Sequence, residues 1–137
     1  MTRVAFVCVG NAGRSQMATA YAESERARRN LNDEIEIVTG GTDPRDHVHE
    51  EVVDVLREEN IDISDRTPRK ITAEDVADAE YVVTMGCDAS GFTPRDWDGT
   101  TEQWDLTDPQ GEDLDAVRVQ RDEIKRRVSE FFDDLED

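Results

Sequence analysis

Cys8 and Arg14 stand at the two ends of one short segment, Cys8-Val9-Gly10-Asn11-Ala12-Gly13-Arg14, with Ser15 directly after. A thiol and a guanidinium closing a glycine-containing loop are the parts of a nucleophilic site for a tetrahedral oxyanion. Backbone N–H groups of such a loop converge on one point, a following helix N-terminus adds partial positive charge, and a guanidinium grips two oxygens at once. The same field favours Cys8 as thiolate over thiol, and a thiolate aimed at a bound tetrahedral anion is a nucleophile. Ser15, with Asn11, can hold the loop's shape and hydrogen-bond the sulfur when it leaves. The expected oxyanion-binding set is therefore Val9, Gly10, Asn11, Ala12, Gly13, Arg14 and Ser15. The loop is not a nucleotide P-loop, because it opens with a cysteine and lacks the lysine that would reach terminal phosphates. A cysteine in a buried strand is most often a small apolar residue, and an arginine at a helix start is most often at the surface. The spacing at a strand–loop–helix junction is what argues for chemistry here.

The junction itself is read from its flanks. Arg3 to Val9 is an almost unbroken apolar, β-branched run, the pattern of a strand buried on both faces in a parallel sheet. Gly10 to Gly13 breaks it, and Gln16 to about Asn30 reads as a helix whose N-terminus lies at Arg14-Ser15. A second strand is predicted at Glu34–Val38, a helix at Glu50–Glu59, a capping box at Thr72–Asp75 opening a short helix, and a third strand at Tyr81–Met85. Asp88 to Thr100 is predicted to be a long loop, Thr101–Leu106 a short fourth strand, and the chain from Glu112 a long amphipathic helix carrying Leu114, Val117, Ile124, Val128, Phe131 and Leu135. Strands alternating with helices imply an α/β fold, a small doubly wound parallel sheet in a single domain over 1–137, with the site beyond the strands' carboxyl ends.

Of 137 residues, 16 are Lys or Arg and 34 are Asp or Glu, for a formal charge of −18. That charge repels phosphate backbones and anionic lipid, so neither nucleic acid nor membrane is expected as a partner, and any anion site must be a local exception. Lysine occurs only at Lys70 and Lys125, and an acidic, lysine-poor surface suits a cytosol of very high salt. Met1-Thr2-Arg3 before the apolar run is too short for a secretion signal and no apolar run approaches a membrane span, so a cytoplasmic monomer is expected. In such a reducing compartment Cys8 and Cys87 would not form a permanent disulfide, though a transient one is chemically useful. No metal is expected. His47 and His49 lack cysteine partners at zinc spacing and are expected to face solvent, and Asp96, Asp98 and Gly99 are a calcium-loop fragment without its glutamate.

The segment Cys8 to Ala18 resembles the phosphate loop of the low-molecular-weight protein tyrosine phosphatase superfamily, and its Arg14-Ser15-Gln16-Met17-Ala18 ending resembles the thioredoxin-coupled arsenate reductase branch. Gly41 to Pro44, Val48-His49, Ile61 to Ser64, Val82 to Met85, Trp104 to Pro109 and Gln120 to Ile124 carry the resemblance along nearly the whole chain. The resemblance implies a four-stranded parallel sheet and a general acid at the Asp of an Asp-Pro pair, which the family pattern carries to Asp108. Spacing alone leaves Asp43-Pro44 equally eligible.

Two chemistries begin alike, with Cys8 attacking a tetrahedral centre, Arg14 and the loop amides stabilising charge, and Asp108 protonating the leaving oxygen. A phosphatase then hydrolyses its phosphocysteine, whereas an arsenate reductase needs a second thiol to attack the arsenic-bearing sulfur. Tyrosine phosphatases of the family place tyrosines just after Asp-Pro, but Gln110-Gly111 stand there, and Tyr21 and Tyr81 read as core residues. Cys87, at the end of the third strand, is the expected resolving thiol. The thioredoxin-coupled relatives use two cysteines after that strand, where this chain has Gly86 and Thr93. A full three-thiol relay is therefore absent, and either Cys87 resolves the adduct or a small thiol attacks Cys8. The reading is an arsenate reductase with no bound cofactor, accepting arsenate or phosphate and drawing electrons from thioredoxin, glutaredoxin or a low-molecular-weight thiol. The alternatives are an aryl phosphatase and an oxyanion- or redox-sensing binding protein, the latter distinguished by tight anion binding without product.

Overall fold

The structure is a computed structural model and describes residues 1–136; Asp137, the last residue of the expected 1–137 domain, lies outside them. Its strands are β1 (Thr2–Cys8), β2 (Ile35–Gly41), β3 (Tyr81–Met85) and β4 (Thr100–Gln103). Its helices are α1 (Arg14–Arg28), α2 (Glu50–Arg57), α3 (Ala73–Ala77) and α4 (Leu114–Glu136). The strands form one four-stranded parallel sheet in the order β2-β1-β3-β4. From β1 the chain winds first to one side of the sheet and then to the other, which opens a crevice at the carboxyl ends of β1 and β3.

Side chains alternate along β1, and the two faces are covered by different layers. Val4, Phe6 and Cys8 join the larger core, made with Met17, Ala18 and Tyr21 of α1, Val52 and Leu56 of α2, and Val117, Ile124, Val128 and Phe131 of α4. Ala5 and Val7 join the smaller core with Ile71, Val76 and Ala79, against which Trp97 and Cys87 pack. Trp104 is buried beside Phe6 and Tyr81 packs edge-on to Phe131, so these aromatics build the core rather than a substrate wall. The Thr72 capping box is formed, with reciprocal bonds between Thr72 and Asp75.

β4 departs from expectation. It is shorter and earlier than Thr101–Leu106, and all its residues are exposed. The cause lies in its last neighbours: Trp104 makes one more bond to the Thr84 carbonyl and turns its ring into the core, after which Leu106 leaves the ladder and gives its carbonyl to Arg14. The long loop after β3 holds a single 3₁₀ turn, Ala89–Gly91, capped by Asp88, and is pinned by Trp97, whose Nε1 donates to the Ala79 carbonyl at 2.9 Å.

Candidate active site

The segment between β1 and α1 is folded so that every carbonyl from Cys8 to Gly13 points away from its centre. Cys8, Val9, Gly10 and Ala12 accept from the amides of Thr42, Asp43, Arg45 and His49, all on the β2–α2 connection. Gly13 accepts from Met17 N–H at 2.9 Å, and Asn11 from the side chain of Gln16 at 3.0 Å. With the carbonyls turned out, the amides of Gly10, Ala12 and Gly13 turn inward and bond to no acceptor among the described residues. α1 begins where this dish ends, with no side-chain cap at Gly13 and no acidic residue in its first turn. A row of free amides against an uncapped helix N-terminus is a site for an anion.

Arg14 completes the dish. Its side chain is buried and its Nη1 donates to the Leu106 carbonyl at 3.0 Å, which fixes the guanidinium plane. Nε is buried and no described residue accepts from it. A buried unpaired donor costs about 1–3 kcal/mol, more when charged, and the Nε–Nη2 edge matches two oxygens of a tetrahedral anion. The guanidinium also lies directly against Gly86, which follows Met85, the ladder partner of Cys8. Residues 8 and 14 thus both lie at the carboxyl ends of β1 and β3.

Cys8 is buried, and its Sγ lies 2.9 Å from Ser15 Oγ and 3.2 Å from the Asn11 amide, both pointing toward the sulfur. Asn11 takes the left-handed conformation, φ 50°, and all of its side-chain capacity is used. Its Nδ2 donates to Ser15 Oγ at 2.7 Å and to Thr39 Oγ1 at 2.9 Å, while its Oδ1 accepts from the Arg69 amide at 3.0 Å and from Gln16 Nε2 at 3.2 Å. Thr39 and Arg69 escape a reading of the sequence. The only signal was a hydroxyl residue closing the apolar run of β2.

The turn Asp108-Pro109 sits on the dish: a Cβ on Gly13 would meet Pro109 Cγ at 2.5 Å and His49 Cδ2 at 3.2 Å. Asp108 is partly exposed, accepts from the Gln110 amide at 3.0 Å, and faces His49 Nε2 at 3.8 Å. His47 is exposed, but His49 is largely covered, contrary to the expectation that both face solvent, because its amide is tied to the loop and its ring lies close against Gly13. Asp43, the other Asp-Pro residue, is exposed and paired with Arg45. Among the described residues no group of three His, Cys, Asp or Glu side chains is placed to hold a metal.

Cys8 and Cys87 are both free thiols. Cys87 packs on the opposite sheet face from Cys8, with its Sγ directed at the Val7 carbonyl at 3.8 Å. Burial, reinforced by the nearby charge of Cys8, pushes its thiol up to about 11 against a smaller pull from Arg14. Two wider clefts flank the dish: one runs from Asp46 to Arg57 and on to Gln110-Gly111, and the other lies between Gly86–Ser90 and Thr101–Gln103.

Residues 3–137 match the sequence model of the low molecular weight phosphotyrosine protein phosphatase family. The chain is 50% identical over 134 residues to a putative arsenate reductase of Halobacterium salinarum, covering 98% of this chain and 93% of that one. It is 32% identical to the glutaredoxin arsenate reductase of Synechocystis, covering 96% and 97%. Among solved structures it superposes on the Corynebacterium glutamicum thioredoxin-dependent arsenate reductase with a TM-score of 0.80 at 29% identity, covering 99% of this chain but 62% of that one, so it spans about three-fifths of that relative. It also superposes on the YwlE arginine phosphatase, in a mutant solved with a phosphorylated active-site serine, with a TM-score of 0.87 at 25% identity and 98% and 96% coverage. The chain therefore belongs to the low molecular weight phosphotyrosine protein phosphatase family and is an enzyme of it.

Proposed function

We propose that the chain is an arsenate reductase in which Cys8 is the nucleophile, Arg14 and the loop amides hold the oxyanion, and Asp108 is the general acid. The observation that carries the oxyanion chemistry is the dish itself: inward amides, an uncapped helix and an unpaired buried Arg14 Nε surrounding one sulfur. In the first step the Cys8 thiolate bonds to arsenic, an As–O bond breaks, and Asp108 protonates the departing oxygen so that water leaves. In the second, a thiolate attacks Cys8 Sγ. A disulfide forms, the S–As electron pair stays with arsenic, and arsenite departs as As(V) becomes As(III). Ser15 Oγ and the Asn11 amide stabilise charge on Cys8 sulfur at both stages. Arsenate is favoured over an aryl phosphate by the half-identical Halobacterium relative and by Gln110-Gly111 after Pro109, which leave no aromatic wall.

The attacking thiol is Cys87 or an external one, and the disulfide is reduced by thioredoxin, glutaredoxin or a small thiol. Cys87 is held protonated and on the other sheet face, so it acts only after the segment from Gly86 swings out. That same placement favours a second reading, a phosphatase, whose cycle needs no second thiol. In either case the working unit is taken to be the 1–137 domain as a cytoplasmic monomer.

The test assays the wild type, Cys8→Ser and Cys87→Ser in high salt for thiol-dependent arsenite formation and for aryl phosphate hydrolysis. Arsenite formation abolished in Cys8→Ser supports the reductase. Its loss in Cys87→Ser as well assigns the resolving thiol, and survival there points to an external one. Hydrolysis without arsenite formation replaces the reductase with the phosphatase. Tight arsenate binding with neither product leaves a binding protein.

A further inference from the structure

We propose that His49 is the positioning residue of the general acid, joining Asp108 to the oxyanion dish and selecting Asp108 Oδ2 as the oxygen that delivers the proton. The inference rests on the assignment of Asp108 as general acid. His49 stands immediately before α2 with extended backbone, φ −61° and ψ 133°, and its side chain makes no capping bond to that helix. Its imidazole is therefore free for another task. The backbone of His49 belongs to the dish, since its amide donates to the Ala12 carbonyl at 2.9 Å. Its ring lies against Gly13 beside Pro109, and Nε2 faces Asp108 Oδ1 at 3.8 Å.

Both protein contacts of the Asp108 carboxyl fall on one oxygen. Gln110 N–H donates to Oδ1 at 3.0 Å and His49 Nε2 approaches the same atom, while no described residue pairs with Oδ2. With Oδ1 accepting from Gln110 N–H and His49 Nε2 standing 3.8 Å from the same atom, the unoccupied Oδ2 is the oxygen left to carry the proton when the carboxyl acts as an acid. As the bond from Cys8 sulfur to the central atom forms and the bond to the leaving oxygen breaks, the Oδ2 proton passes to that oxygen. The new carboxylate charge is met by the Gln110 amide and by the His49 imidazole, which closes on Oδ1 from its resting 3.8 Å. The side chain of His49 is 13% exposed and that of Asp108 44%, so the covered residue is the anchor and the exposed one is the group it steadies. Glu50 and Glu51 follow His49 at the start of α2, and Asp46, Asp54 and Arg57 line the same cleft; none of them forms an ion pair with it among the described residues.

The test compares wild type, Asp108→Asn, His49→Phe, His49→Gln and the Asp108→Asn/His49→Phe double variant on phenyl phosphate and 4-nitrophenyl phosphate. Phenoxide needs a proton to leave and nitrophenoxide does not, so general-acid defects show on the first. Asp108→Asn should lose about 100-fold or more in kcat on phenyl phosphate and far less on the nitrophenyl ester. His49→Phe should lose about tenfold on phenyl phosphate with KM kept, about twofold on the nitrophenyl ester, and nothing further when added to Asp108→Asn. His49→Gln, whose amide reaches where Nε2 stands, should recover most of the loss. If wild type releases no phenol even in a single turnover, the same non-additivity and the same rescue are read in thiol-dependent arsenite formation. Equal losses on both esters, or losses that multiply in the double variant, overturn the role of His49. A flat leaving-group response in Asp108→Asn, with His49→Phe behaving likewise, overturns the general-acid assignment beneath it.

Discussion

Asn11 fixes the shape of the dish more than any other side chain, since it spends every donor and acceptor it has on Ser15, Thr39, Arg69 and Gln16 while holding a left-handed backbone. At about 1 kcal/mol net for each lost bond, plus the cost of orphaned buried partners, Asn11→Ala should destabilise the fold by about 2–4 kcal/mol. Urea unfolding measures this, and a loss under about 1 kcal/mol would show that the network is dispensable. Cys87 makes a pH prediction. Its thiol is held near 11 against an ordinary 9.0, so this group favours the folded state below about pH 9 and withdraws that support as pH rises through about 11. In Cys8→Ser, which removes the Cys8 charge and leaves the larger effect of burial, alkylation of Cys87 by iodoacetamide should be slow at about pH 7.5 and still be climbing at about pH 9; a plateau below about pH 9 would refute it. Cys8, Arg14 and Ser15 were legible because their spacing is local. His49, Thr39 and the Leu106 carbonyl were not: Thr39 is brought beside Asn11 by the pairing of β2 with β1, Leu106 by the end of β4, and His49 by the β2–α2 connection, none of which local spacing specifies.

Elements hold these side chains through a few close approaches. Gly86, φ 83°, has the Arg14 guanidinium against the place where a Cβ would stand, so any side chain there must displace the arginine as well as strain the backbone. Gly86→Ala is expected to weaken phosphate binding at least tenfold, measured by calorimetry, and unchanged affinity would mean that Arg14 does not face the anion. On the face of the sheet that carries α1, α2 and α4, Glu58 joins the end of α2 to α4. Its hydrogen bonds to Arg118 and then Arg121 hold its carboxyl down to about 2. The support it gives is present above its ordinary 4.5 and lost as pH falls through about 2. In low salt, Glu58→Gln should therefore lower Tm at pH 6 and lower it much less near pH 2, and an equal drop at both would show that the contact is steric. The runs that became β1, β3 and α4 were readable because an apolar pattern fixes both their period and their buried face. β4 was misplaced at its carboxyl end because Trp104 and Leu106 look like strand residues but are claimed by the core and by Arg14.

For the whole molecule the dominant quantity is the −18 charge, carried on a surface where most pairs are exposed Arg–carboxylate contacts. Such pairs contribute about 0–1 kcal/mol each and weaken with salt, while the uncompensated carboxylates repel through the same medium. Repulsion has the larger count, so Tm should rise as KCl goes from about 0.1 M to about 2 M, where the screening length shrinks from about 10 Å to below 3 Å. A falling Tm over that range would show that the pairs dominate. No helix among the described residues is long and apolar enough to cross a membrane. The outward-facing carbonyls of the Cys8–Gly13 turn also bear on how such a protein can diversify. The groups proposed to receive the anion there are peptide amides, which every residue except proline supplies. Val9, Gly10 and Ala12 can therefore change identity, short of proline and wherever a side chain fits, with those amides kept, so substrate preference is more readily altered at the rim, at Gln110, than within the turn.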